Sequence, residues 1–389
     1  MKEKGILQVA IILISHNVGG TQKRMLNLFS YLSENGRHRY MLFINQALYR
    51  ECVKRGYVTE RKNIRVLFKR KIFRCIDKMV TDIPLLRSGR GKAVRKGFNV
   101  FRLFIQKFAL FLEKRQYADT VFDIAHFALA GDFDSVVTYK KLVMECVASN
   151  IEETHWKDGT FREMIRRADR VNILSADIKR KLEKLTGVKD DEKYQAAPCS
   201  FTDYSGCRVG RKELCIVFSG RMEDVKNPFL FLEALKLLKE KTSLFFQAFM
   251  LGHGALEEDV DKKIGLYGLA DLVKRMEHPS PQEILSRSLI YVSLQEANNY
   301  PSQALLEAMA CGCAVIATDV GETSLLVGKE EGFLVPFDKE VIAEKMLWLI
   351  QHSAEAEKMG LAAREKVIRE HTAERYARFV EKMYDDALL

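Results

Sequence analysis

The chain alternates short apolar runs with amphipathic stretches along most of its length. Residues 6–14 are apolar apart from Gln8, which predicts a buried first strand. After Gly19 and Gly20 the periodicity changes to that of a helix over residues 21–35, with Gly36 as its stop. A short strand is expected over residues 40–45. The second half reads as strands over 214–218, 245–251, 273–277 and 289–294 and a run ending at Ile316. Helices are expected to begin near Pro228, a favoured residue at a first helical position, and near Ser302, the latter stopped by Gly312. Such alternation, with no short repeat, predicts the α/β class: two doubly wound, Rossmann-like domains facing one another. The stretch from Ala197 to about Lys212 is rich in Gly, Ser and charge and marks the boundary. The expected division is an N-terminal domain over 1–205, a C-terminal domain over 206–371 and a helix over 372–389 that crosses back to the first domain.

Composition narrows the class. With 389 residues, 47% hydrophobic and 29% charged, the sequence reads as a soluble globular protein of two or three domains. No run reaches the roughly eighteen apolar residues that would span a bilayer, and residues 6–14 lack the flanks of a signal peptide. Eight scattered cysteines show neither a disulfide framework nor zinc spacing, so a reducing cytoplasm is the expected location. The net charge is +10, yet residues 61–115 alone hold seventeen Lys and Arg against three acids. Within that segment Val94, Phe98, Phe101, Ile105, Phe108 and Leu112 recur in steps of four and three, one side of a helix. Two readings follow: a helix packed on its own sheet with a solvated basic face, or a surface drawn to anionic lipid on the inner face of the cytoplasmic membrane. No nucleic-acid module is recognisable, and no nucleic-acid partner is expected.

Candidate chemistry gathers where strands end. Strand, Gly19-Gly20 and helix form a turn through which a backbone approaches a phosphate closely. The helix start near Ser302 offers free N–H groups and a positive dipole end, which suit a phosphate. Glu307, one to two turns further in, is placed to accept hydrogen bonds from sugar hydroxyls. Gly252-His253-Gly254 follows another strand, but a dinucleotide fingerprint would need glycine at position 257, where Glu257 stands, so a redox cofactor is a poor fit.

The segment 299–322 resembles the donor-binding motif of the retaining GT-B glycosyltransferases of family four, the glycosyl transferases group 1. That family carries two glutamates eight positions apart; the second corresponds to Glu307, whereas the first falls on Asn299. The resemblance continues in Gly19, Gly20, Arg24 and Leu26-Asn27-Leu28, which would face the donor diphosphate and the acceptor. It includes Gly220-Arg221 and Lys226-Asn227, whose two cations would hold the diphosphate. Asp123-Ile124-Ala125-His126 resembles a strand end that delivers a histidine into the cleft, although a second family histidine is replaced by Ala128.

The resemblance implies a GT-B fold and a metal-independent, retaining transferase with no cofactor beyond its nucleotide diphosphate sugar donor. Arg221, Lys226, Glu307 and His126 would be catalytic, and Gly19, Gly20, Gly220, Gly252, Asn299, Tyr300, Pro301, Ser302 and Gln303 would bind the donor. The acceptor would be a saccharide or a lipid-linked saccharide of an envelope polymer such as capsule, exopolysaccharide or lipopolysaccharide. Two other functions remain open: a non-hydrolysing sugar-nucleotide epimerase, and a catalytically silent homologue that binds or scaffolds.

Overall fold

The computed structural model describes residues 5–15, 18–58, 61–69, 108, 111–115, 117, 119–128, 136–146, 159–276, 280–298, 300 and 302–389. Two all-parallel sheets organise the chain. The first has seven strands in the order β3-β2-β1-β4-β5-β6-β7. These are β1 (Gln8–Leu13), β2 (Arg39–Asn45), β3 (Ile64–Leu67), β4 (Val121–Phe127), β5 (Thr138–Cys146), β6 (Arg170–Ile173) and β7 (Tyr194–Ala196). Helices α1 (Gly20–Asn35), α2 (Gln46–Lys54), α3 (Gly159–Arg167) and α4 (Ala176–Thr186) connect them. β1 is buried from Val9 to Leu13 because it pairs on both sides, with β2 and β4, and helices cover both faces of such a sheet.

The second sheet has six strands in the order β10-β9-β8-β11-β12-β13. Its strands are β8 (Glu213–Ser219), β9 (Gln247–Leu251), β10 (Val273–Met276), β11 (Ser288–Ser293), β12 (Ala314–Thr318) and β13 (Gly332–Val335). The helices are α5 (Pro228–Lys241), α6 (Glu257–Leu266), α7 (Pro281–Arg287), α8 (Gln303–Ala310), α9 (Lys339–Gln351) and α10 (Ser353–Glu370). In both sheets the strand order reverses beside a central strand, β1 or β8, and such points open the crevice that receives ligands in open α/β sheets. The cores divide in the connection between β7 and β8: Phe201 packs with the first core and Cys207 with the second.

The last helix, α11 (Ala373–Ala387), returns to the first domain, where Tyr376, Val380, Met383 and Tyr384 join its core. Polar side chains fasten it from two directions. The Tyr40 hydroxyl donates to Glu381 Oε1 at 2.6 Å, and Arg37 reaches both Glu381 and Asp385. Deeper, Glu145 of β5 meets Arg24 of α1 at 3.1 Å, His126 of β4 at 3.1 Å and Asn172 of β6 at 2.7 Å, and the Tyr376 hydroxyl donates to it.

Among the described residues no helix is long and apolar enough to cross a membrane. Most of the basic segment, including Val94, Phe98, Phe101 and Ile105, lies outside the described residues.

Candidate functional site

The C-terminal ends of β8 and β9 make one wall of an interdomain cleft. Gly220 N–H donates to Leu251 O and Met222 N–H donates to His253 O, both at 3.0 Å, so the two strand-end turns are stitched together. Gly252 holds φ +130°, and a Cβ there would stand 2.1 Å from Gly220 O. Only glycine allows that approach. The cleft encloses about 570 Å³ and is lined by Ser219, Gly220, Arg221, Gly252 and His253 on this wall and by Lys23, Lys54, Arg55 and Tyr57 opposite.

Arg221 is exposed, its guanidinium held by Glu223 at 2.8 Å. Lys226 ends the turn Asp224–Lys226, after which Asn227 adopts a left-handed conformation at φ +53° and begins α5. Its stem lies over Gly220, and its ammonium donates to Gln295 Oε1 at 2.5 Å. Burial first, and then the Arg221 charge, lower the Lys226 ammonium to a pKa of about 8.

The helix α8 starts at Ser302, whose side chain does not cap it, and no acidic residue occupies its first turn. Gln303 donates to Ser200 Oγ at 3.3 Å, while its Oε1 is buried without a partner among the described residues. A Cβ on Gly20 would lie 3.1 Å from Gln303 Cγ. The N-terminal ends of α1 and α8, one from each domain, therefore meet. Gly19, the N-cap of α1, donates its N–H to Gln22 Oε1 at 2.9 Å. Tyr300 and Ser302 line a small hollow together with Gln295 and Thr318, so the Lys226 partner borders the α8 start.

Glu307 is buried on the next turn of α8, where Thr202 donates to its carboxylate at 3.4 Å. Burial raises its pKa above the usual carboxylate value, against the pull of Lys23. Glu307 borders a second hollow of about 280 Å³, which shares Lys23, Arg55, Tyr57 and Pro281 with the main cleft. The two spaces thus join around Lys23.

Two sequence expectations are corrected. His126 is 0% exposed and does not reach the cleft. Its side chain leaves β4 on the face covered by α11, where Nδ1 lies 2.6 Å from the Tyr384 hydroxyl and Nε2 3.1 Å from Glu145. Arg24, expected to face ligand, is turned inward and paired with the same carboxylate. Of the other expected residues, Gly220, Arg221 and Gly252 line the cleft, Tyr300 and Ser302 the small hollow and Glu307 the second hollow. Gly19, Gly20, Lys226 and Gln303 are not among the lining residues of these three spaces, and Asn299 and Pro301 lie outside the described residues. Sequence reasoning missed Lys23, Lys54, Arg55, Tyr57, Thr202 and Gln295. The helix α2 that carries Lys54 was not anticipated, although its amphipathic pattern was a usable signal. Among the described residues no group of three or more His, Cys, Asp or Glu is arranged to hold a metal ion.

Comparison with known proteins agrees with this architecture. A point mutant of S. aureus TarM in complex with fondaparinux, alpha-GlcNAc-glycerol and UDP is similar with a TM-score of 0.72 at 14% identity, over 97% of this chain and 100% of that one. Anabaena Alr3699/HepE in complex with UDP and glucose is similar with a TM-score of 0.69 at 13% identity, over 97% and 98%. Among curated relatives, a D-inositol 3-phosphate glycosyltransferase of Jonesia denitrificans is 31% identical over 131 residues, which are 31% of this chain and 31% of that protein. A GalNAc-alpha-(1->4)-GalNAc-alpha-(1->3)-diNAcBac-PP-undecaprenol alpha-1,4-N-acetyl-D-galactosaminyltransferase of Campylobacter jejuni is 27% identical over 157 residues, 39% of this chain and 43% of that protein. The matched stretch therefore spans less than half the length of these relatives. Residues 208–366 match the family described as glycosyl transferases group 1. With two facing parallel-sheet domains and these solved neighbours, the chain has the GT-B fold, and its second half is similar to the glycosyl transferases group 1.

Proposed function

We propose that this protein transfers a sugar from a nucleotide diphosphate sugar to a saccharide or lipid-linked acceptor, with retention at the anomeric carbon and without a metal. The observation that carries the reading is the cleft itself: Arg221 lines it, Lys226 lies behind Gly220, and the N-terminal ends of α1 and α8 meet at Gly20 and Gln303. As the bond to the diphosphate breaks, negative charge grows on the leaving oxygens. Fixed cations and helix N–H groups stabilise that charge more than they stabilise the ground state. Glu307 would accept hydrogen bonds from the ribose hydroxyls, its carboxylate steadied by Thr202. Tyr300 and Ser302 would present backbone to the donor, and Gly19, Gly20, Gly220 and Gly252 would let it approach. Asn299, in place of a glutamate, would hydrogen-bond a sugar hydroxyl without supplying charge to the oxocarbenium-like centre.

The relatives support this choice over an epimerase. The Campylobacter protein is named for transfer to an undecaprenol-linked saccharide and the Jonesia protein for a phosphorylated acceptor, while both solved neighbours hold UDP. The reading extends to a place in envelope polysaccharide synthesis at the cytoplasmic membrane, supported by the undecaprenol-linked acceptor in the name of the Campylobacter relative and by the basic segment of this chain. The test is a thermal-shift screen of UDP, GDP, ADP and dTDP sugars, followed by incubation of the best donor alone and with membrane extract. Acceptor-dependent release of the nucleoside diphosphate is expected. Epimerised donor without acceptor would favour the epimerase, and binding without turnover would favour the silent homologue.

A further inference from the structure

The wall opposite Arg221 holds more positive charge than a donor diphosphate needs. The helix α2 ends in Lys54 with Arg55 as its C-cap, and both side chains line the main cleft. Glu51, one turn earlier, fixes the Arg55 guanidinium at 2.6 Å. Lys54 is exposed and makes no salt bridge among the described residues. Lys23 comes from a different helix, α1, and its ammonium stands 4.8 Å from the centre of the Tyr57 ring. Three cations from two helices thus face one hollow in which Glu51 is the lone carboxylate lining residue among the described residues. Cations at a helix end are favoured by its dipole, which accounts for Lys54 and Arg55 on α2 but not for Lys23 joining them. Like charges focused in a cleft repel one another and attract a mobile anion. Across the cleft, Arg221 and Lys226 already match the two negative charges of a diphosphate, and a neutral sugar acceptor would leave the facing cations without a role.

We propose that Lys54 and Arg55, with Lys23 between them and the donor, form a subsite for a phosphate group of the acceptor. The proposal rests on the transferase reading above and adds the acceptor's chemical class: a phosphate ester, either a lipid phosphate or a soluble sugar phosphate. Arg55 supplies the planar fork that grips two phosphate oxygens, and Lys54 and Lys23 supply point charge.

The test uses the full chain saturated with the nucleoside diphosphate that stabilises it most, so that the donor site is filled. Calorimetry then compares glucose 1-phosphate, citronellyl phosphate and citronellol on the native protein, on Lys54→Gln/Arg55→Gln and on Arg55→Lys. The phosphate probes are expected to bind, to lose at least tenfold in affinity in the double variant and to lose less in Arg55→Lys, which keeps the charge without the fork; citronellol should not distinguish the three proteins. Tighter binding of citronellyl phosphate identifies a lipid source, and tighter binding of glucose 1-phosphate a soluble one. Equal binding of the phosphate probes to native and doubly substituted protein overturns the proposal. So does a tenfold loss of nucleoside diphosphate affinity in the double variant, because the cations would then serve the donor. A native protein that takes up no nucleoside diphosphate sinks the transferase reading and this one with it; uptake of nucleotide but of neither phosphate probe sinks this one alone.

Discussion

The Glu322 carboxylate, in the loop after β12, accepts a hydrogen bond from the Ala176 backbone N–H at 2.8 Å and so caps a helix of the other domain. Asn298 strengthens the contact: its Nδ2 donates to Glu322 at 2.8 Å and lies 3.4 Å from Ser175 Oγ. A carboxylate at the positive end of α4 is favoured by the helix dipole, and here it links the two halves of the cleft. Glu322→Ala should lower global stability by only about 1 kcal/mol, the usual net worth of such hydrogen bonds. It should nevertheless let the domains separate, raising the radius of gyration in small-angle X-ray scattering. An unchanged scattering profile would show that other contacts set the closure.

Glu145 is the hub beneath α11, and replacing it exposes the cost of a broken buried pair. Burial opposes its charge, but the His126 hydrogen bond, the Arg24 charge and the Asn172 hydrogen bond more than offset it, leaving its pKa below the ordinary glutamate value of 4.5. A depressed carboxylate adds stability above its unfolded pKa and loses it as pH falls through the folded value. Native protein should therefore weaken below about pH 4.5, by up to about 1.4 kcal/mol per pH unit from this group, while Glu145→Gln should weaken less steeply. At pH 7 the variant should be destabilised by about 3 kcal/mol, because Arg24 is left buried without its partner. Urea denaturation at several pH values measures both.

At Glu307 the sign is opposite. Burial raises this carboxyl above the ordinary value of 4.5, so the stability linked to it is full below that value and is lost as pH rises through the folded pKa. Glu307→Gln should consequently melt at a higher temperature than the parent at pH 7 and at a similar one at pH 4. Its affinity for the nucleoside diphosphate should fall at least tenfold, since an amide offers one acceptor where the carboxylate offers two. Wild-type affinity in the variant would remove Glu307 from the ribose.

Lys226 gives binding its own pH dependence. With a pKa lowered to about 8, it is charged at neutral pH and loses its proton a little above. Nucleoside diphosphate affinity should drop as pH rises beyond about 8, and proton uptake should accompany binding there. Lys226→Arg, always charged, should flatten the profile, and Lys226→Ala should weaken binding throughout. Calorimetry in buffers of different ionisation enthalpy reads the proton directly. A flat native profile would detach Lys226 from the diphosphate.

What the sequence revealed and what it hid have physical reasons. Strands were legible because both faces of a parallel sheet are buried, so β1, β8 and β11 are continuous apolar runs. The turns at Gly220 and Gly252 were legible as glycines after strands, although their mutual contact joins positions 32 residues apart and leaves no local trace. His126 misled because both faces of β4 are buried, so the sequence does not say which one a strand-end histidine takes. Arg24 lies among Met25, Leu28 and Phe29 on α1, and its partner Glu145 is 121 positions away. Lys23, Lys54 and Arg55 meet only because α1 and α2 both pack on β2, which no spacing announces.

The return of α11 makes the order of synthesis matter. Tyr376 and Tyr384 fill the first domain's interior, yet they are translated after the whole second sheet. At ribosomal speeds of roughly 5–20 residues per second, the nascent first domain waits on the order of 10–40 seconds with Glu145 and its neighbours uncovered. A chaperone that shields this gap would be needed most during that interval, and the second domain, whose own strands and helices are contiguous, is placed to finish folding ahead of the one that emerged first.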